Sequence, residues 1–355
     1  MNLVHVDNNM VAEESVAVKI KKEKGEQTRV FLRNHGLIRS DLKIKRTSDY
    51  LFIPVIHSSD VLSDFELVTC SFEKTEKRPT SYHELLNLPN DLQEKLPTSF
   101  DIIGDIVLIK LPESLQSYES KIGNALLNVQ SHVKTVCVMN PVHGEFRRRS
   151  VRIIAGEQKT VTTHKEFGLR FQVDVEKTYF SPRLANERMR VSTLIKKNKS
   201  VFDMFCGVAP FSVLIATYAH PLRILAIDKN PDAVRLAKQN SMNNHVEDTV
   251  TVLKEDAMNT TSFLEKQHMV PDHIIMNLPF SAIDFFPLAV QNVSDKGMIH
   301  YYDIVKESSF DERIKVLKKK AEKFDARLVQ LDVHNIKTYA PHEFYIGIDI
   351  TVSKN

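Results

Sequence analysis

The chain has 355 residues, 42% of them apolar and 26% charged, a length that suggests two or three domains with a large core. Its 48 basic and 45 acidic residues leave a net charge of +3, with a pI near 8.5. That balance excludes a histone-like or tail-driven nucleic-acid binder, but not a local basic surface.

The N-terminal run MNLVHVDNNMVAEE lacks the basic-then-apolar pattern of a signal peptide. The run KIKKEKGEQTR reads as a solvated helical face. LKIKRTSDYLFIPVIHS reads as two short strands around a turn at Thr47-Ser48-Asp49, and the polar stretch around Arg78 as a boundary. A helix with proline stops is expected over 83–97, a strand-rich run broken by Gly104 over 100–112, a helix over 113–131 and a strand at VKTVCVMN. Alternating apolar positions, including Phe171, Val173 and Val175, predict antiparallel strands with turns at Gly156 and Gly168. This middle part reads as an α+β domain. Cys70, Cys137 and Cys206 are far apart and form no CxxC pair, as expected of a reducing compartment. The longest apolar stretch, residues 208–219, is too short to span a bilayer. A cytoplasmic protein is the expectation.

From residue 181 onward the pattern becomes strand–helix alternation. VFDMFCG, RILAID, VTVLKED, HIIMNLP, GMIHYYD and FYIGIDITV are strand candidates, and LVQLDVHNIKTYA supplies a seventh. Buried apolar strands alternating with helices predict an α/β, Rossmann-like, mainly parallel doubly wound sheet, which binds ligands at the carboxyl ends of its strands. Asp203, Asp228 and Asp256 end three successive strands. An acid after the second strand is placed to accept ribose hydroxyls, and one after the third an adenine amino group. The first loop has only Gly207 and Ala209 where a dinucleotide fold wants G-x-G-x-x-G, and it has no phosphate-cradling lysine motif. A ribose and an adenine without a phosphate point to S-adenosylmethionine. Asn230-Pro231 supplies a helix cap that fixes where Asp228 points.

The fourth strand ends in Met276-Asn277-Leu278-Pro279-Phe280, where an amide and a backbone carbonyl meet the ligand end of the sheet. Ahead of the first strand, Ser181-Pro182 starts a helix whose apolar stripe, Leu184, Val191, Leu194 and Ile195, contains Glu187. A carboxylate there is expensive to bury unpaired, and Arg183 and Arg188 are the expected partners. It is either half of a structural ion pair or a desolvated base. Residues 147–199 hold fourteen Lys or Arg against five Asp or Glu, a local surplus of nine charges, opened by Arg147-Arg148-Arg149. A positive zone beside an adenosyl site suits a phosphate-rich substrate.

Together, Gly144-Glu145-Phe146-Arg147, Tyr179-Phe180-Ser181-Pro182-Arg183, Glu187-Arg188, Asp203-Met204-Phe205-Cys206-Gly207, Asn277-Leu278-Pro279 and Ile299-His300-Tyr301-Tyr302 resemble the archaeal and eukaryotic tRNA (guanine-N1)-methyltransferases that act at guanosine 37. The resemblance covers about 120–350 strongly and LKIKRTSDYLFIPV more weakly. It implies a small tRNA-binding domain over 1–78, an α+β middle domain over 79–178 and a class I methyltransferase domain over 179–355. It implies S-adenosylmethionine as cofactor, tRNA as partner and a monomer, with no metal at the reacting atoms. It makes Glu187 the general base, Arg147 the partner of guanine O6, and Asn277 and Pro279 the walls of the target pocket. Tyr179 and Arg188 are then substrate contacts. Arg183, Asp203, Phe205, Gly207, Asp228, Asp256 and Asn277 become cofactor contacts. Ala209 departs from the glycine that relatives often carry.

Three other readings compete. A wyosine-pathway enzyme would methylate a tricyclic guanine derivative on carbon or transfer an aminocarboxypropyl group, though the intact Asn277-Leu278-Pro279 disfavours that transfer. An exocyclic-amine methyltransferase would not need Glu187 as a base. A non-catalytic RNA-binding module would not need Asp203, Asp228, Glu187 and Asn277 together.

Overall fold

The structure, a computed structural model, describes residues 12–56, 60–75, 79–143 and 148–354. The chain divides into two compact units, 1–80 and 81–355.

In the first unit, β1 (Ala12–Lys21), α1 (Gly25–Asn34), β2 (Lys45–Arg46), β3 (Tyr50–Pro54) and β4 (Glu66–Glu73) form an antiparallel sheet, ordered β2-β3-β1-β4, with one helix. The turn between β2 and β3 is where Thr47-Ser48-Asp49 predicted it. The basic run is not one helical face. Its first three residues, Lys19-Ile20-Lys21, finish β1, because Val16, Val18 and Ile20 alternate toward a small core with Leu32, Ile53 and Leu62. The helix starts at Gly25, where a Cβ would lie 2.3 Å from the Leu51 side chain.

The second unit opens with α2 (Asn90–Gln93), a single turn after a 3-10 turn at Tyr82–Leu85. The helix expected over 83–97 is cut by Pro89, which has no amide hydrogen to continue it. β5 (Asp101–Ile103), β6 (Ile106–Ile109), α3 (Glu119–Val129), β7 (Thr135–His143) and β8 (Arg148–Gly156) form a four-stranded sheet with one helix on it, and β9 (Val161–Glu166) and β10 (Leu169–Asp174) form a hairpin. Gly104, at φ +57°, turns β5 into β6, and a Cβ there would lie 2.1 Å from the Thr162 hydroxyl on β9.

Then come α4 (Ala185–Leu194), β11 (Ser200–Asp203), α5 (Pro210–Ala219), β12 (Arg223–Asp228), α6 (Pro231–Asn243), β13 (Val250–Lys254), α7 (Thr260–Lys266) and β14 (His273–Met276). They are followed by α8 (Ala282–Asn292), β15 (Gly297–Lys306), α9 (Phe310–Glu322), β16 (Ala326–Ala340) and β17 (Glu343–Lys354). All seven predicted strands form one sheet, ordered β13-β12-β11-β14-β15-β17-β16. The first five are parallel, and β17 and β16 are antiparallel additions at one edge. Strand order reverses between β11 and β14, which places the ligand crevice at the ends of those strands.

One apolar cluster runs from Ile103, Ile106 and Leu108 through Phe171 and Val173 to Val201, Val213 and Leu214. The middle sheet and the large sheet therefore share a core. Among the described residues, no helix is long and apolar enough to cross a membrane.

Candidate active site

The crevice is built by strand ends. Asp203 closes β11 at 1% exposure. Its Oδ2 accepts the Ser212 hydroxyl at 2.7 Å, while Oδ1 is buried and has no partner among the described residues. Burial pushes this carboxyl up to about 7, against the hydrogen bond from Ser212. Asp228 ends β12. Its Oδ2 accepts the Gly207 amide and its Oδ1 the Asn230 amide, both at 2.8 Å. Burial raises this carboxyl as well. Asn230 caps α6, its side chain accepting the Asp232 amide, as the Asn-Pro pair predicted. Gly207 sits at φ +55°, and a Cβ added there would meet the Tyr179 carbonyl at 3.6 Å, so Tyr179 borders the same loop. Ala209, at φ +62° and fully buried, holds a left-handed conformation that glycine adopts without cost. Phe205 packs edge-on against Phe285, with centroids 5.1 Å apart.

These residues fit an adenosyl group. An unpartnered buried carboxylate oxygen at the end of β11 and a second acid at the end of β12 flank the Gly207 loop, whose sequence has no phosphate-cradling motif. Asp203→Asn tests that role. An acid whose folded pKa is raised loses stability as pH rises from its unfolded value near 3.9 through about 7. The variant is expected to melt higher than the parent at pH 8 without cofactor, and to bind cofactor about tenfold more weakly. Calorimetry reads both.

Asn277 follows β14, and its Oδ1 accepts the Tyr345 hydroxyl at 2.5 Å. Pro279 lies in the turn that follows. The turn ends at Phe280, at φ +75° and 53% exposed, whose ring meets that of Tyr339 edge-on at 5.5 Å. Tyr339 is 52% exposed, so two aromatic rings stand open at the turn that follows Asn277.

Glu187 is 6% exposed on α4. Its carboxylate takes four hydrogen bonds. Arg190 gives two, from Nε to Oε2 at 2.9 Å and from Nη2 to Oε1 at 2.8 Å. The Tyr302 hydroxyl gives one to Oε1 at 2.7 Å, and His334 Nε2 meets the same oxygen at 3.1 Å. Burial pushes this carboxyl up, but the bonds from Arg190, His334 and Tyr302 outweigh it and hold the carboxyl at about 2. Arg190 is anchored in turn by Asp349 at 2.6 Å, and His300 Nδ1 holds the other Asp349 oxygen at 2.6 Å. The Tyr302 and Tyr345 rings lie 6.2 Å apart, so two tyrosines bridge Glu187 to Asn277.

The partners of Glu187 differ from the expected ones. Arg188 points away from it. It is 1% exposed, bonded to both Glu166 oxygens at 2.7 and 2.5 Å and to the Ser181 carbonyl, and it lies over the Phe180 ring. A side chain so enclosed and committed is a structural anchor, not the substrate contact expected of it. Arg183 is bonded to Asp101 at 2.6 Å rather than to Glu187 or to the loop after β11. Asp256 caps the turn after β13 through the Met258 amide and pairs with Lys229 at 2.8 Å, and that lysine lowers its carboxyl. Arg147 lies outside the described residues. The basic surplus is also smaller than its sum. Six of the fourteen basic side chains, Arg152, Lys159, Arg183, Arg188, Arg190 and Lys199, are in ion pairs among the described residues.

The sequence pattern gives no role to Arg190, His334, Tyr345 or Asp349, and names Tyr302 only within the family resemblance. Arg190 had a signal, because it stands three residues after Glu187 on the same helix face. The others reach the site through strand pairing far along the chain.

A family model described as the TRM5/TYW2 methyltransferase domain matches residues 162–329. Others, described as the tRNA methyltransferase 5 N-terminal domain and the TYW2 N-terminal domain, match 17–63 and 82–160. The tRNA (guanine(37)-N(1))-methyltransferase Trm5b of Pyrococcus abyssi is 39% identical over 96% of this chain and 99% of its own. The chain belongs to the Trm5 family. The crystal structure of Pyrococcus abyssi Trm5b has a TM-score of 0.74 at 38% identity, covering 96% of this chain and 99% of that one. A complex of aTrm5 with tRNALeu gives 0.74 at 34% identity, covering 96% and 100%. The tRNA(Phe) (4-demethylwyosine(37)-C(7)) aminocarboxypropyltransferase of Pyrococcus horikoshii is 30% identical but covers only 76% of this chain and 94% of its own. The Trm5 matches thus include the first unit.

Proposed function

We propose that this protein transfers a methyl group from S-adenosylmethionine to N1 of guanosine 37 in tRNA. The observation that carries the reading is the buried, ionised Glu187, bridged by Tyr302 and Tyr345 to Asn277 at the ligand end of the sheet. When bound, S-adenosylmethionine supplies an electrophilic methyl group. Asp203, Asp228 and the Gly207 loop hold its adenosyl part. Guanine N1 carries a proton at neutral pH and is a poor nucleophile until that proton leaves, so Glu187 takes it as general base. Asn277 and Pro279 position the base, and Arg147 is assigned to the charge that develops on O6. The target base must leave the anticodon-loop stack, and the exposed Phe280 and Tyr339 rings at the turn after Asn277 offer it and its neighbours stacking faces.

In this reading residues 1–78 and 79–178 grip tRNA and 179–355 carry the chemistry, in a cytoplasmic monomer. The intact Asn277-Leu278-Pro279 and the full-length match favour methyl transfer to N1 over the wyosine-pathway reactions. Incubation with a transcript carrying guanosine 37, followed by nucleoside mass spectrometry, is expected to yield 1-methylguanosine at that position. A product modified elsewhere overturns the reading. tRNA affinity is expected to fall steeply between 50 and 200 mM salt, on the order of 10-fold or more, while cofactor affinity changes little. Filter binding and calorimetry at matched salts compare the two.

A further inference from the structure

Arg190 lies between two carboxylates. Its Nε and Nη2 bond the two Glu187 oxygens at 2.9 and 2.8 Å, and its Nη1 bonds Asp349 Oδ2 at 2.6 Å. Asp349 stands on β17 in register with His300 on β15, and both are buried. His300 Nδ1 meets Asp349 Oδ1 at 2.6 Å, and His300 Nε2 meets His273 Nδ1 on β14 at 3.1 Å. An ionised carboxylate only accepts, so Nδ1 is the protonated nitrogen of His300. Burial pushes the Asp349 carboxyl up, but His300 and Arg190 outweigh it and hold the group well below the usual carboxylate range. Asp349 therefore stays ionised. Also facing this row are Tyr302 and His334 at Glu187, the exposed Asp332 on β16 in register with Asp349, and the Asp272–Lys199 pair beyond His273.

A base that accepts a proton gives up its charge. With Glu187 as the sole anion on Arg190, protonation would leave that half-buried guanidinium facing a neutral carboxyl, and the cost would add to the barrier. Asp349 puts a second carboxylate on the same cation. Two carboxylates around one guanidinium also repel each other, which favours a proton on one of them. Glu187 is the one at the reacting end, and its Oε2 takes only the Arg190 Nε bond among the described residues, so a lone pair there has room for a proton.

We propose that Asp349 is a positioning residue for proton transfer, the counter-ion that keeps Arg190 matched while Glu187 loses its charge. This rests on Glu187 being the base for guanine N1. In the step, the N1–H bond breaks and its proton moves to Glu187. The electron pair left on N1 takes the methyl group, and the pair of the broken carbon–sulfur bond stays on sulfur.

The test is single-turnover methylation of the guanosine 37 transcript by Asp349→Asn. The substitution keeps size and removes charge. Its amide oxygen can accept from Arg190, and its amide NH2 can donate to His300 Nδ1 once that ring carries its proton on Nε2 and gives it to His273. At about pH 7 the variant is expected to be roughly tenfold slower than the parent, with cofactor affinity within about threefold. The deficit is expected to shrink toward about pH 9, as guanine N1 comes to ionise without help and the base has less to do. A merely architectural role would leave the same deficit at both pH values, and that result overturns the proposal, as does the parent rate at about pH 7. Asp349→Glu, which restores the charge on a longer arm, is expected to recover most of the rate. It decides the matter alone if the asparagine variant does not fold, since a glutamate variant as far below the parent at about pH 9 as at about pH 7 overturns the proposal. Glu187→Gln, measured alongside, separates the two readings. If it keeps the parent rate, the base assignment itself fails. If it is slow while Asp349→Asn is not, only the counter-ion role fails.

Discussion

Replacing Glu187 by glutamine is expected to slow single-turnover methyl transfer by roughly 10²- to 10⁴-fold, the usual contribution of a positioned base. Cofactor affinity is expected to stay within about threefold, because none of the Glu187 bonds reaches Asp203, Asp228 or the Gly207 loop. Rapid-quench kinetics and calorimetry on the same preparation give both numbers, and equal losses in the two would remove Glu187 from the chemistry. The substitution also has a pH signature in stability. Bonds from Arg190, His334 and Tyr302 hold the carboxyl at about 2 against the push of burial, well below the unfolded value near 4.3. A depressed carboxyl contributes stability that is complete above its unfolded pKa and lost as pH falls through the folded one. The parent is therefore expected to weaken between about pH 4.3 and pH 2, and Glu187→Gln to weaken less over that window. Urea midpoints across the range compare them.

The second large effect is expected at Arg188. Cutting it to methionine leaves Glu166, only 6% exposed, as a buried charge without its partner. Breaking one side of such a pair costs about 3–5 kcal/mol. Replacing both members with apolar residues of similar volume is often close to neutral, so Arg188→Met with Glu166→Leu is expected to recover most of that loss. A double-mutant cycle by denaturant unfolding measures the coupling. If Arg188 bound substrate instead, the single variant would keep the parent stability and lose tRNA affinity.

The parallel sheet was legible because its strands are short, apolar and regularly followed by helices, and because Asp203 and Asp228 each end one. Glu187 was legible as a charge inside an apolar stripe. Its partners were misassigned because nearness in sequence is not nearness on a helix. Arg188, one residue on, is rotated about 100° away, whereas Arg190, three residues on, shares the face. His334 lies 147 positions from Glu187 and meets it only because β16 is the last strand laid on the sheet. No local pattern encodes such a contact. The two compact units divide between Thr80 and Ser81. No division falls near residue 178, where alternating apolar residues on β10 feed the same core as β11 and α5.

Two adjacent residues of α4 therefore serve opposite layers. Glu187 is bonded to β15 and β16, and Arg188 is locked to β9. A helix pinned on both flanks cannot roll about its axis without tearing a buried ion pair. The hairpin β9–β10 is thus part of the mounting that sets where the Glu187 carboxylate points. A fragment that begins at residue 179 lacks that mounting and is expected to lose methyl transfer even with Asp203 and Asp228 intact.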